Sequence, residues 1–595
     1  MSRLACAVAA LLLSGGAPAT AQPSNPHAPY RVLVGEWAGR LTYTDYQDDR
    51  TGGEVGVALD VTGVRLRLVT EQQGEDNGRA ATVRETLTVD PDGWAVVKEV
   101  RSAGSARSFQ RNSSALRQAA TLPADSAWIP GDALQSDVAL LRRAYEALHP
   151  GLTRYRTPAE MGRLFDALHA SVGRGLSVRE AYLALAAFLN TVQCGHTFPN
   201  PANQSEAVTA AVVTAGRRLP FTFRWIEGRM VVTRDLSADG RLVPGTEVLS
   251  VDRVPVGQIL ARLLPLSRAD GGNDAKRVAN LDVRGTGRYE AFDVYFPLVF
   301  PLGHEAALAV RAPLGDDERV VRVRTMTHAQ RAAVREVDAG GSDSGVAWTF
   351  RTIGDSAAVL RMPSWATYAD DWDWRAFVDR TFDALVDRQT PLLVVDLRGN
   401  EGGEGVGDAL LSRLVERDLP LVAFERWVRY RQAPADLLPF LDTWDRSFDD
   451  WSAHTTDERD GLFRMTRYDD GPAGTVVRPA GRRFTGRVVV LVDAANSSAT
   501  FEFAQAVQQN GLGTLVGQPT GGNQRGINGG AFYFLRLPNS GIEVDLPLVG
   551  FFPPGGADDR PDAGLQPDVP VQFSADDVAR GVDAELEAAL RLLAR

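Results

Sequence analysis

Apolar and polar residues alternate with a period of two through most of residues 30–100, in LTYTDY, VGVALDV, VRLRLVT and AVVKEV, with Gly and Asp breaks between. That is the pattern of short antiparallel strands with one buried face, so an all-β domain is expected over 22–104. Residues 105–130 are rich in Ser, Ala and Arg without a clear period and read as a linker. From 131 the period lengthens to that of a helix: Val138, Leu141, Tyr145 and Leu148 share one face of a helix over 132–148. Helical patterns recur over 158–170 and 178–192, so 131–205 is a small helical unit that ends in the turn QCGHTFPNP.

The pattern then returns to β over 206–337, with FTFRWI, RMVVTRD and TEVLSVDRVPVGQIL. Residues 345–595 alternate the two periods: strand AAVLRM, helix 373–386, strand LLVVD, helix 406–415, the apolar run Val488 to Val492, a helix from Ala499, strand GTLVG, a hairpin around AFYFLRL and a last helix 583–594. Such alternation predicts an α/β core with parallel strands. The expected fold class is therefore multidomain: all-β domain, helical unit, β-rich module, α/β core.

Composition changes little in this picture. A chain of 595 residues, 44% hydrophobic and 23% charged, is ordinary globular protein. A net charge of −11 without a basic tract argues against nucleic acid as a partner. The first 21 residues differ: Arg3, an apolar stretch to Leu13 and small residues ending in Ala19-Thr20-Ala21 form the pattern of a cleaved secretory signal. Export to a periplasmic or extracellular space without a stable membrane anchor is expected. Cys6 lies inside that signal, so Cys194 has no partner for an intramolecular disulfide and reads as a small buried residue. No His, Cys or acidic cluster has metal-ligand spacing, and no cofactor is indicated.

Loops after successive parallel strands lie at one edge of the sheet, where such folds bind their substrates. Two loops qualify. One runs from Asp493 to Ser498 and places Ser498 at a helix N-terminus, where it is either a cap or a nucleophile facing the positive end of the helix dipole. The other is the Gly-rich RGNEGGEG after LLVVD, in which Glu401, Glu404 and Asp408 would repel phosphate. Gly402 or Gly403 could instead point an N–H, beside that of Ala499, at a substrate oxyanion.

Four segments carry a resemblance: VVDLRGNEGG, ANSSATFEFA, GTLVGQPTGG and GLQPDVPV, in that order. Together they resemble the serine peptidase family of tail-specific (C-terminal processing) proteases and the tricorn core, and they favour Ser498 as nucleophile. LHPGLTRY, with Tyr155, and CGHT resemble the helical segment of the tricorn-like branch. PGTEVLSVD resembles part of a PDZ-like module, and Gly35-Glu36-Trp37 resembles the start of a lipocalin-like barrel, though a β sandwich fits those three residues equally well. The family implies a peptide or unfolded-protein substrate and an acyl-enzyme mechanism.

In the tail-specific branch a lysine follows the position of Thr520, and here that place is taken by Asn523. Arg525 cannot act as a base, and the chain's two lysines, Lys98 and Lys276, are not placed for catalysis in the sequence. The base is then a histidine. Of His27, His149, His169, His196, His304, His328 and His454, the resemblance selects His196, the one in a family motif. It also implies an acid just before GLQPDVPV, which Asp562 supplies one place away from the expected position, with Asp558 and Asp559 as rivals and Asp568 as a turn cap. The flanks depart from the family: Thr500-Phe501 follow Ser498-Ala499, and Cys194 stands where an Asp is common. Two alternatives stay open, a non-catalytic binding protein on the same fold and an esterase or amidase.

Overall fold

A computed structural model describes residues 35–117 and 128–594, apart from 46–49, 63–64, 77–78, 91–92, 103–108, 238–239, 339–347, 369–371, 422–423, 468–475 and 556–558, with side chains from residue 128 onward. The expected signal segment and His27 lie outside the described residues, as does Asp558. The chain divides into two units, Met1–Phe109 with Ala115–Arg117, and Gln110–Ser114 with Gln118–Arg595.

Strands Gly35–Asp45, Arg50–Thr62, Arg65–Asp76, Arg79–Asp90, Gly93–Ser102 and Phe109–Arg117 form one sheet in chain order. The first five are paired antiparallel. The sixth corrects the expected linker: FQRNSSALR has too few apolar residues to show a two-residue period, and its strand character is a property of backbone pairing, which side-chain patterning does not report.

In the second unit the helices come where the spacing puts them, over Gly131–Leu148, Pro158–Val172 and Val178–Asn190. The last two open on capping boxes, Thr157 with Glu160 and Ser177 with Glu180, which pair otherwise orphaned N–H groups at each helix start. Their apolar faces, including Leu141, Phe165 and Leu185, join one core. A five-strand antiparallel path follows, in the order Glu318–Arg324, Glu305–Arg311, Glu247–Val251, Arg229–Asp235, Phe221–Ile226. Helices interrupt the region expected to be β-rich, 206–337. VGQIL belongs to the helix Val256–Leu263, and Asp274–Ala279, Ala291–Val299 and His328–Asp338 are also helical. AFDVYFPLV is buried from Phe292 to Pro297, and a short run apolar at every position but Asp293 has no period by which helix and strand can be told apart.

The α/β core has the strand order Thr349–Ile353, Ala357–Arg361, Leu392–Asp396, Arg487–Val492, Thr514–Gly517, Val569–Pro570. All neighbours but the first pair are parallel. Asp396 stands opposite Leu491 across the two central strands, so the Gly-rich loop and the Ser498 turn leave the sheet side by side. The hairpin Asn528–Arg536 and Glu543–Phe552 belongs to a further six-stranded sheet, of which the sequence pattern suggested only that hairpin. Asp583 caps the last helix, Ala584–Arg591. Among the described residues no helix is long and apolar enough to cross a membrane.

Candidate active site

Ser498 occupies the N-cap position of the helix Ala499–Gln509, yet its side chain makes no capping hydrogen bond. Its backbone has φ 52° and ψ −131°, a conformation that glycine adopts and an L side chain avoids. Holding serine there costs on the order of 1–3 kcal/mol, which surrounding contacts must offset. Those contacts are dense. Asn496, fully buried, donates from Nδ2 to the carbonyls of Leu397 (2.6 Å) and Asn400 (3.0 Å), and its Oδ1 accepts the N–H of Asp493 (2.8 Å). Asp493 accepts the N–H groups of Gly399 and Ala495 and pairs with Arg284 at 3.1 Å. Thr500 Oγ1 donates to Asn400 O (3.0 Å), and Ser497 Oγ donates to Glu401 O (3.2 Å). The two loops expected to share an edge are thus bonded to one another.

The glycines lie where close approach demands them. A Cβ on Gly402, whose φ is 103°, would stand 2.9 Å from Ser498 Cβ and 3.0 Å from the Ala499 nitrogen. A Cβ on Gly403 would stand 2.3 Å from the carbonyl of Trp365. The Gly402 N–H donates to Asn400 Oδ1 at 2.9 Å and is taken. Gly403 bridges Trp365 in parallel, with the Gly402 carbonyl and the Glu404 N–H bonded to Trp365, so its own N–H faces the other way. The N–H of Ala499, in the first turn of its helix, has no intrahelical acceptor.

His196 follows the helix Val178–Asn190 in a half-buried turn, with its ring against Phe532 (centroids 5.8 Å apart) and beside Gly529. Its Nδ1 is buried with no hydrogen-bond partner among the described residues. Burial lowers its pKa, Asp270 and Glu401 raise it, and Arg268 and Lys276 lower it, with a net downward shift. At neutral pH the imidazole is therefore uncharged. His149, fully buried, is engaged by Thr197 Oγ1 and the Gly151 N–H, and burial lowers its pKa to about 3. Cys194 is buried, accepts from Asn528 Nδ2, and has its thiol pushed up to about 11 by burial and then by Asp270.

Asp562 Oδ1 accepts from Asn523 Nδ2 (2.7 Å) and from the Gly272 N–H (3.0 Å). Asn523 donates also to the Asp270 carbonyl, so the residue standing in the lysine's place joins two acidic positions. Asp559 is exposed, while Asp568 accepts from the Leu515 N–H and Gln508 as a turn-holding residue does. Two groups were absent from the expected site. Lys276, remote in sequence and not placed there for catalysis, is fully buried with its Nζ donating to Ala495 O (2.8 Å) and pairing with Glu401 (3.3 Å). Burial lowers its pKa, against the opposing effect of Glu401. Burial would raise Glu401, but the charges of Lys276 and Arg268 outweigh it and bring its pKa to about 2. Nothing in the chain's periodicity marks Lys276 or Arg268; a lysine in so lysine-poor a sequence was the one available signal. Among the described residues no cluster of His, Cys, Asp or Glu could hold a metal ion.

Residues 356–571 match the family model of Peptidase family S41. No curated protein matches the chain. Among solved structures, mature CPAF complexed with lactacystin aligns over 78% of this chain and 98% of its own at 16% identity, with a TM-score of 0.52, a likeness of fold. The photosystem II D1 C-terminal processing protease aligns over 78% of this chain and 97% of its own (15% identity, TM-score 0.37). The tricorn protease aligns over 90% of this chain and 46% of its own (10% identity, TM-score 0.34).

Proposed function

We propose, for a chain whose residues 356–571 match the model of Peptidase family S41 and which acts as a serine-type peptidase, that Ser498 is the nucleophile and His196 its base. Ser498 Oγ attacks a peptide carbonyl, His196 takes the serine proton and returns it to the leaving amine, and water resolves the acyl-enzyme. The oxyanion is held by the N–H of Ala499 and by that of Gly403, because Gly402 gives its N–H to Asn400 and serves by its lack of a side chain. The observation that carries this reading is Ser498 itself: a serine at φ 52° that caps nothing is strained without structural return.

A neutral His196 suits the role, since only an unprotonated imidazole can accept the proton. Asp562, the acid expected to complete the triad, stands one amide away from the Asp270 carbonyl, through Asn523. The substrate class is a peptide or unfolded protein, and export, from the pattern of the first 21 residues, is part of the proposal.

The test compares wild type with Ser498→Ala on an unstructured protein and on a small ester. Both activities should vanish in the variant. Equal activity in the two proteins removes Ser498 from the reaction, ester turnover without proteolysis points to an esterase, and no activity in either points to a binding protein. His196→Ala should stay folded and lose labelling by a fluorophosphonate; retained labelling would transfer the search for a base to Lys276.

A further inference from the structure

The turn that bears His196 belongs to no helix or strand; besides the bond of the Thr197 N–H to the Cys194 carbonyl, it is tied at three backbone groups to a single remote segment. Gly271 donates its N–H to Gln193 O (2.9 Å). Asp270 Oδ1 accepts the N–H of Gly195 (2.9 Å), and Arg268 donates from a guanidinium nitrogen to the carbonyl of the same glycine (2.6 Å). The residue before His196 is therefore gripped at both ends by an anion and a cation two positions apart. The grip requires glycine: a Cβ on Gly195 would stand 2.7 Å from Asp270 Oδ2. Asp270 is only 3% exposed, and its own carbonyl is held by Asn523. Arg268 also stacks on Phe198 and pairs with Glu401 at 2.8 Å, beside the glycine that touches Ser498.

We propose that Asp270 and Arg268 form an opposed-charge clamp that positions His196 and sets the field in which it takes the proton of Ser498. The inference rests on the Ser498–His196 reading and adds to it two positioning residues. Asp270 is the carboxylate that compensates the imidazolium as it forms, where the family resemblance implied Asp562. The charged groups facing His196 are Asp270 and Arg268 from this segment, Lys276 from the helix Asp274–Ala279, and Glu401 from the Gly-rich loop, two anions against two cations. The nearby Cys194 thiol and Tyr155 hydroxyl are uncharged at neutral pH, both raised by burial. Removing either member of the clamp must therefore move the histidine in a known and opposite direction: loss of the anion makes it harder to protonate, loss of the cation easier.

The test is the rate of Ser498 acylation by a fluorophosphonate as a function of pH, on the full chain, for wild type, Asp270→Asn, Arg268→Gln and His196→Ala. The wild-type rate should fall on the acid side as His196 protonates. In Asp270→Asn that limb should move to lower pH by about one unit, and in Arg268→Gln to higher pH by a comparable amount. A purely structural role would lower the rates and leave the limbs in place, and coincident limbs overturn the clamp. If Asp270→Asn does not fold by circular dichroism, the Arg268→Gln limb decides alone: an upward move supports the clamp and none overturns it. Acylation of His196→Ala at the wild-type rate removes the base and the clamp with it. Acylation lost in His196→Ala with unmoved limbs elsewhere overturns the clamp and leaves the base standing.

Discussion

The Ser498 turn takes most of its hydrogen-bond partners from its own residues and from the loop of the neighbouring parallel strand, whereas the His196 turn is tied at three backbone groups to Arg268, Asp270 and Gly271, some seventy positions on. The first is rigid because adjacent strands in register deliver two loops to one place, and Asn496 ties them together. The second has no strand to deliver it. Its position depends on a segment between the helices Val256–Leu263 and Asp274–Ala279, held in turn by Asn523 and Arg277. One half of the candidate site is thus a product of sheet topology and the other of a polar clamp, and the two should respond differently to substitution.

The largest effect should come from breaking the pair itself. Ser498→Ala and His196→Ala should each lower kcat by on the order of a million-fold, and the double variant should be no worse than either, as for groups that act as a unit; additive losses in steady-state kinetics would show that the turns work independently. Next comes the tie inside the Ser498 half. Asn496→Ala leaves the N–H of Asp493 without a buried partner and takes one donor each from the carbonyls of Leu397 and Asn400, which keep the Asn400 N–H and Thr500 Oγ1; it should cost about 3 kcal/mol, read from the urea midpoint. An unchanged midpoint would mean that the strands alone hold the loops. Gly402→Ala pushes a methyl group against Ser498 Cβ and should lower kcat/KM about a hundred-fold through misplacement of the nucleophile. The smallest effect has the opposite sign. Ser498→Gly should raise stability by about 1 kcal/mol while abolishing activity, because the serine's φ of 52° is the strained element of its turn; a lower melting temperature would show that Ser498 is held without strain.

The α/β core could be read from the sequence because its strands are short apolar runs and its helices carry a clear face, as Val488 to Val492 and Val378, Phe382 and Leu385 do. The three helices after residue 131 were equally readable from their spacing, while the capping boxes at Thr157 and Ser177 came only with the structure. The readings failed where a period is silent: in the helix Ala291–Val299, apolar but for Asp293, and in the polar strand Phe109–Arg117. Of the candidate site, the neighbouring positions of Ser498, Gly402 and Gly403 were implied by strand order, and the place of His196 only by resemblance.

Which loops share an edge could be inferred from consecutive residues, because the alternation of strand and helix periods is local and implies parallel strands. The sequence by itself also determined that no lysine follows Thr520. Only the tertiary structure decided that Asn523 bridges two acidic positions there, that Lys276 reaches the Ala495 carbonyl from a helix more than two hundred residues earlier, and that Asp270 and Arg268 grip the glycine before His196. Those are side-chain contacts across long loops, set by the packing of three segments against one another, and packing leaves no period in the chain.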